Sequence, residues 1–338
     1  MFVRTEDDPA ARVRLDEALQ EALQTPLLGT DFSNLGERYV GKVRDTYASG
    51  DRLVLITSDR ISAFDRVLGT LPLKGEVLGE LSRWWFEETK HVAPNHVIDA
   101  PDRNVLIGHR CEPLPVEMVM RAHLTGVTST SIWHHYEKGE RSFCGHALPD
   151  GLRKHQALEA PLLTPSTKAK KGDHDVSVSR EDILAMGQIS ARDFDEAAAY
   201  ARALFEHGRA HCAAHGLMLV DTKYEFGRAP NGRIVVMDEI HTPDSSRYWI
   251  AASYEARMAA GEDPESLDKE YVRRWLKEQG YAGDGPPPVL PDDLRVEASR
   301  RYIDACERVR GARFTPAQGA PLERVNAAVE PYRQQPAP

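Results

Sequence analysis

An α+β fold is the expectation from three observations. The N-terminal half is rich in short β-like stretches, a charged hairpin pattern occupies Leu217–Trp249, and helical periodicity surrounds both. At 338 residues, two domains or one large one are expected, with ample apolar material for a core. The boundary is placed near Val116–Leu124, giving a β-rich domain over 1–122 and an α+β domain over 123–338.

Asp8–Pro9 reads as a helix cap with proline at the first helical position, and Leu15, Leu19 and Leu23 follow at helical spacing. Arg38–Tyr47 and Leu53–Thr57 read as two strands joined by the turn ASGD. Gly41 inside the first strand would let a ligand approach the backbone closely. The run Gly41-Lys42-Val43-Arg44 completes neither phosphate-loop pattern, and a lone GK in a strand is more often without function. Ser58–Asp65 (SDRISAFD) ends the second strand with two aspartates and an arginine, although a cap by Ser58 or Asp59 would explain some of them. Glu76–Lys90 is an amphipathic helix with Leu78, Leu81 and Trp85 inward. Val97–Ile98 and Val105–Ile107 are short strands, and Val116–Leu124 is a longer one with Glu117, Val119 and Arg121 on one side.

From Gly126 to Ser179 the chain is rich in Gly, Ser, Thr and Pro. Within it, Lys168, Lys170 and Lys171 precede Gly172-Asp173-His174-Asp175. The composition is that of a solvated loop, yet long irregular segments in compact domains often serve as binding loops or lids. Ser190–His215 is a helix with Ser190 as cap and Gly216 just past its end. His207, His211 and His215 span too many turns to hold one ion and read as an ordinary helix face. Leu267–Leu276 is helical, Gly283–Pro288 is a rigid linker, and Pro291–Gly311 and Pro321–Tyr332 are closing helices.

The hairpin carries most of the chemistry. Alternation sets Asp221, Lys223 and Glu225 on one face of a strand and Val220, Thr222, Tyr224 and Phe226 on the other. With Phe226 opposite Arg233, Asp221 falls opposite Asp238, and Ile234 and Val236 share the charged face. A one-residue slip would bring Glu239 there instead. Carboxylates beside apolar groups need a cation, either Lys223 or a metal, and clustered hard oxygens suit Mg²⁺. A solvated hairpin with cross-strand ion pairs fits the same pattern. Next, Thr242–Arg247 (TPDSSR) offers a turn, two hydroxyls, backbone N–H groups and an arginine. Asp244, Ser245, Ser246 and Arg247 are thus candidates to hold a phosphate or carboxylate. The alternative is a surface bridge from Arg247 to Asp244 or Glu239.

Composition narrows the class. The 52 acidic and 43 basic residues give a net charge of −9, which argues against a nucleic-acid surface but not against a local basic pocket. Cys111, Cys144, Cys212 and Cys306 are scattered, which suggests neither a disulfide framework nor a zinc site. No apolar run reaches membrane-spanning length and no signal-peptide pattern opens the chain, so a soluble protein of the cytoplasm is expected. Self-association is left open.

These parts suggest an enzyme that uses a nucleoside triphosphate and Mg²⁺ in an interdomain cleft. The motifs GKVRD, SDRISAFD, LTPSTKAKKGDHD, VDTKYEFG, MDEIHTPDSSRYW and SLDKEYVRRWL, in that order, closely resemble the phosphoribosylaminoimidazole-succinocarboxamide synthase (SAICAR synthetase) family. The resemblance runs from about Arg38 to about Gly311. It implies a kinase-like or ATP-grasp-like pair of α+β domains with ATP between them. It also implies ATP-driven amide formation between the carboxylate of carboxyaminoimidazole ribonucleotide (CAIR) and the amine of L-aspartate. By motif, Gly41, Lys42 and Arg44 match the strand over the ATP phosphates, and Glu117, Met118, Val119 and Met120 the hinge at the adenine. Glu225 and Asp238 match the Mg²⁺ carboxylates, and Asp221 and Lys223 the groups beside the reacting phosphate. Arg121, Ser245, Ser246 and Arg247 match the nucleotide substrate's site. Asp59, Arg60, Ser62, Asp65, Lys168 and Asp173 fit the remaining substrate pocket. After Arg121 the family usually runs through a short Gly-Ser step to a Trp. Here Gly126–Trp133 (GVTSTSIW) is longer, leaving Ser129, Ser131 or neither in the serine's place. A small-molecule kinase or an inactive nucleotide-binding regulator remains as a rival reading.

Overall fold

The computed structural model describes residues 3–64, 66–168 and 175–333. Helix α1 (Pro9–Gln24) starts where expected, with the Asp8 carboxylate accepting from the Ala10 and Ala11 N–H groups. The next strands are β1 (Glu37–Val40), β2 (Arg44–Ser49) and β3 (Arg52–Thr57), followed by the hairpin β4 (Arg60–Ala63) and β5 (Arg66–Thr70). Helix α2 (Lys74–Glu88) leads to β6 (Val97–Asp102) and β7 (Val105–His109). Five of these strands form one antiparallel sheet in the order β1-β2-β3-β7-β6.

The single strand expected over Arg38–Tyr47 is instead two. Gly41–Val43 turns the chain, and the Gly41 N–H donates to the Arg44 carbonyl at 2.8 Å. A Cβ at position 41 would lie 2.9 Å from that carbonyl, so glycine is what lets the turn close. Gly41-Lys42 is therefore a hairpin tip rather than a strand interior.

The chain enters the second sheet with β8 (Glu112–His123), then passes through α3 (Ile132–Glu137) and a separate small hairpin of β9 (Ser142–Phe143) and β10 (His146–Ala147). After β11 (Ala157–Leu163) and β12 (Ser166–Thr167) come α4 (Arg180–Ala185) and α5 (Ala191–Ala214). Then follow β13 (Leu217–Arg228), β14 (Ile234–Met237) and β15 (Ser246–Ile250). The sheet order is β11-β8-β13-β14, with β12 on β8 and β15 on β13. Strand β8, near whose end the domain boundary was expected, thus pairs on both edges within this second sheet. Ser190 caps α5 by accepting from the Asp193 N–H, and α5 packs on β13, β8 and β14. Its Phe194, Ala201 and Phe205 meet Met118, Met120, Tyr224 and Phe226 in one core. Helices α6 (Ala251–Ala260), α7 (Glu270–Glu278), α8 (Asp292–Arg310) and α9 (Pro321–Val329) close the chain.

The β13–β14 register corrects the expected one. Phe226 pairs with Val236, not Arg233, a slip of three residues. Because three is odd, Ile234 and Val236 move to the Phe226 face, where they are 1% and 0% exposed. Burial of these two side chains under α5 decides the register. Asp238 then lies beyond the end of β14, with a left-handed φ of 71°, rather than opposite Asp221.

Candidate active site

A cavity of about 330 Å³ opens over the face of the second sheet that α5 does not cover. Alternation along β8 aims Glu117, Val119 and Arg121 into it, and β13 adds Asp221 and Lys223. The turn before β15 contributes Asp244 and Ser245, the start of β15 contributes Ser246 and Arg247, and the entry to α7 contributes Asp268, Lys269 and Arg273. Thr128–Ser131 add a rim of hydroxyls, while Lys42, Ser62 and Phe64 approach from the side of the first sheet.

At one end, Glu117 and Lys223 join the cavity to a network of carboxylates and cations, of which Arg44, Asp238 and Glu239 line a separate, smaller cavity. The Lys223 ammonium donates to Glu117 and Glu225, both at 2.8 Å, and Lys168 donates to the other Glu225 oxygen at 2.5 Å. Arg44 reaches Asp238 at 2.6 Å and Glu239 at 3.2 Å, so the β1–β2 hairpin and the second sheet meet here. Burial opposes the charge on Lys223, but Glu225, Glu117 and Asp238 outweigh it and hold its pKa well above the ordinary lysine value. Burial likewise opposes the charge on Glu225, and Lys223 and Lys168 outweigh it to keep the carboxyl ionised far into acid. Asp238 moves the other way, up to about 6, because burial and the neighbouring Glu225 and Glu239 exceed the help from Arg44.

Among the described residues, no three His, Cys, Asp or Glu side chains converge on one point as a self-sufficient metal cage. A pair of hard carboxylates, close enough for Glu225 to raise Asp238, nevertheless fits an ion that draws its remaining ligands from phosphate and water.

The other end is cationic. Arg247 donates to Asp221 at 2.5 Å and lies 3.8 Å from Glu270, so its partner is neither Asp244 nor Glu239. Arg121 donates to the Thr164 hydroxyl at 2.9 Å and the Thr130 carbonyl at 2.8 Å, with Asp221 at 3.9 Å. Ser131 sits against Gly126: a Cβ at 126, where φ is 91°, would lie 2.4 Å from its hydroxyl and 3.2 Å from Arg247. Folding thus brings Ser131 back beside the glycine despite the longer segment between them. Lys269 and Arg273 stand one helical turn apart and complete the cationic wall; their spacing in SLDKEYVRRWL was a usable signal that the motif reading passed over. Burial brings Lys269 down to about 8, against the pull of Asp244.

Several expected site residues do other work. Both Asp59 oxygens are occupied by backbone N–H groups, of Gly75 at 2.8 Å and Leu27 at 2.7 Å, so Asp59 organises a turn and does not line the cavity. Arg60 braces the glycine hairpin through the Gly41 carbonyl at 3.0 Å and Asp45 at 2.8 Å. Met118 and Met120 are core, and β8 is hydrogen-bonded along both edges there, so this stretch has no free edge to serve as an adenine hinge. Ser246 bonds to Thr222 at 2.7 Å at the cavity floor. Asp244 is paired to the buried Lys74, the first residue of α2, which starts two residues before the expected Glu76. Asp65 and Asp173 lie outside the described residues.

Comparison with known proteins places this geometry. Residues 37–288 match the model of the family described as SAICAR synthetase. The chain is 50% identical over 292 residues to the chloroplastic phosphoribosylaminoimidazole-succinocarboxamide synthase of Arabidopsis thaliana, covering 86% of this chain and 70% of that one. It is also 50% identical over 280 residues to the enzyme of Legionella pneumophila, covering 82% and 89%. Among solved structures, the SAICAR synthase of Saccharomyces cerevisiae complexed with SAICAR aligns with a TM-score of 0.72 at 28% identity, over 86% of this chain and all of that one. A type-2 SAICAR synthetase in complex with ADP aligns with a TM-score of 0.63 at 25% identity, over 83% and 100%. The chain therefore belongs to the SAICAR synthetase family, enzymes that act as ligases in purine biosynthesis.

Proposed function

We propose that this enzyme joins the carboxylate of CAIR to the amine of L-aspartate at the expense of ATP, giving SAICAR, ADP and phosphate through an acyl phosphate. The observation that carries the reading is that two sets of charges adjoin at one cavity. Glu117 and Lys223 line it and tie it to Glu225, in a network suited to a polyphosphate, and Arg121, Arg247, Lys269 and Arg273 form a wall of the same cavity suited to a phosphorylated acid. The relative solved with SAICAR and the one solved with ADP support both halves.

A carboxylate cannot expel oxide, so transfer of a phosphoryl group must first create a leaving group that an amine can displace. The work of the protein in such a step is positioning and charge neutralisation. In this reading the two sheets serve as the halves of a kinase-like or ATP-grasp-like arrangement. Gly41 and Lys42 approach the phosphates, and Lys223 balances charge on the transferred group. Asp221 orients Arg247, and both stand beside the reacting carboxylate. Glu225 and Asp238 would hold Mg²⁺, which supplies Lewis-acid neutralisation of the phosphate oxygens when bound. Arg44 and Lys168 counter the same carboxylates otherwise. Arg121, Ser131 and the Ser245–Arg247 run take the nucleotide substrate. The reaction belongs to the soluble phase of the cytoplasm.

The test is ADP release with ATP alone, with CAIR added, and with CAIR and aspartate together, each with Mg²⁺ and with chelator. Product is expected only when all three substrates and the metal are present. Turnover with CAIR but without aspartate would instead identify a kinase, and no turnover at all a nucleotide-binding regulator.

A further inference from the structure

Beneath the cationic end of the cavity lies a buried ion pair for which the chemistry above has no use. Lys74, at the start of α2, is completely buried, and its ammonium donates to Asp244 Oδ2 at 2.8 Å. The other oxygen, Oδ1, accepts from the Tyr302 hydroxyl of α8, also at 2.8 Å. Burial opposes the charge on Asp244, but Lys74 and Lys269 outweigh it and hold the carboxyl down at about 2. An ammonium is costly to take out of water unless its partner is well placed. Here the partner is a residue of the substrate-facing turn.

That turn has its own internal bonds. The N–H groups of Ser245 and Ser246 both donate to the Thr242 carbonyl, at 3.1 and 2.9 Å, and the Lys223 N–H donates to the Ser245 carbonyl at 3.1 Å. These fix its local shape and its attachment to β13. Asp244 adds what they do not: a tie to two helices that pack outside the sheet. Its carboxylate is thereby committed to Lys74 and Tyr302, which leaves Arg247 to Asp221 and the cavity.

On the footing of the proposed reaction, we propose that Lys74, Asp244 and Tyr302 form a positioning unit that sets the Ser245-Ser246-Arg247 run against the anionic nucleotide substrate. Asp244 then acts through its neighbours, and the geometry of the turn depends on α2 and α8, elements remote in sequence.

Tyr302→Phe removes one hydrogen bond and keeps the ring. CAIR KM is expected to rise at least about threefold, the scale of one hydrogen bond, while kcat and the ATP KM stay within about twofold. The double variant Lys74→Met/Asp244→Asn removes both charges of the pair together, so that neither is left buried without the other. It is expected to melt cooperatively near the wild-type temperature and yet show a CAIR KM raised about tenfold or more. A role in stability alone predicts wild-type KM values in both variants, and an unchanged CAIR KM in Tyr302→Phe overturns the proposal even if the double variant does not fold. Failure of the wild-type protein to make product from CAIR and aspartate would overturn the assigned reaction instead.

Discussion

At the scale of single residues, Arg247 and Lys269 are the informative pair. Arg247 shares the Asp221 carboxylate with Arg121, lies 3.8 Å from Glu270 and lines the cavity, so an incoming phosphate or carboxylate meets a guanidinium already oriented by acidic partners. Lysine offers a point charge and no fork. Arg247→Lys should therefore raise CAIR KM about tenfold or more, the value of a charge-assisted bond of roughly 1.5–3 kcal/mol, with ATP KM changed much less. Steady-state kinetics with each substrate varied in turn will check it. Lys269 makes a pH prediction. Burial lowers its pKa from 10.5 to about 8, so the cavity wall loses a positive charge as pH rises through that value. CAIR KM should climb between pH 7 and 9 in the wild-type enzyme and stay flatter in Lys269→Gln. The stability term has the opposite trend. The folded state holds this proton less tightly than the unfolded chain, so stability from this group increases as pH rises from about 8 toward 10.5.

Helix α2 shows how an element serves the site from behind. Leu78, Leu81 and Trp85 gave it away by their spacing, and all three are buried. Its glycines carry less visible information. A Cβ on Gly79 would lie 1.8 Å from the Arg103 carbonyl, in the turn joining β6 and β7. Helix propensity alone predicts that Gly79→Ala stabilises by about 1 kcal/mol. The contact predicts the reverse, a loss of about 1–3 kcal/mol from overpacking, measurable by denaturant unfolding. An unchanged or higher midpoint would mean that the helix can retreat from the turn without cost. The sign matters for function because the same helix carries Lys74 to Asp244.

At the scale of the whole molecule, the C-terminal helices act as a strap outside the family-matched span of 37–288. Arg324 of α9 donates to Glu76 of α2 at 2.7 Å and to Asp102 of β6 at 2.5 Å, and both carboxylates are nearly buried. Burial also raises the Glu76 pKa, which Arg324 and the Ala317 N–H work against. Arg324→Ala should cost about 3–5 kcal/mol, because it strands buried charge. The loss should shrink as pH falls, since a protonated Glu76 no longer needs a counter-charge. Thermal melts at pH 7 and pH 5 will show it. The cavity wall obeys the same logic in reverse: in a protein of net charge −9, Arg121, Arg247, Lys269 and Arg273 share one cavity, so any attraction for an anion there is local.

Local order in the chain was enough for the caps at Asp8 and Ser190, the periodicity of α2 and α5, and the alternation that turns Glu117, Arg121, Asp221 and Lys223 toward one face. It was also enough for the family, whose motifs stand in sequence order. Each of these depends on residues within a few positions of one another. The β13–β14 register, the break at Gly41, the return of Ser131 to Gly126 and the capture of Asp59 and Asp244 by backbone and helix partners do not. They depend on which side chains share a core or a counter-charge across tens to hundreds of residues. Ile234 and Val236 could have faced either way as a strand; only α5 lying on one side of the sheet made one of those ways favourable.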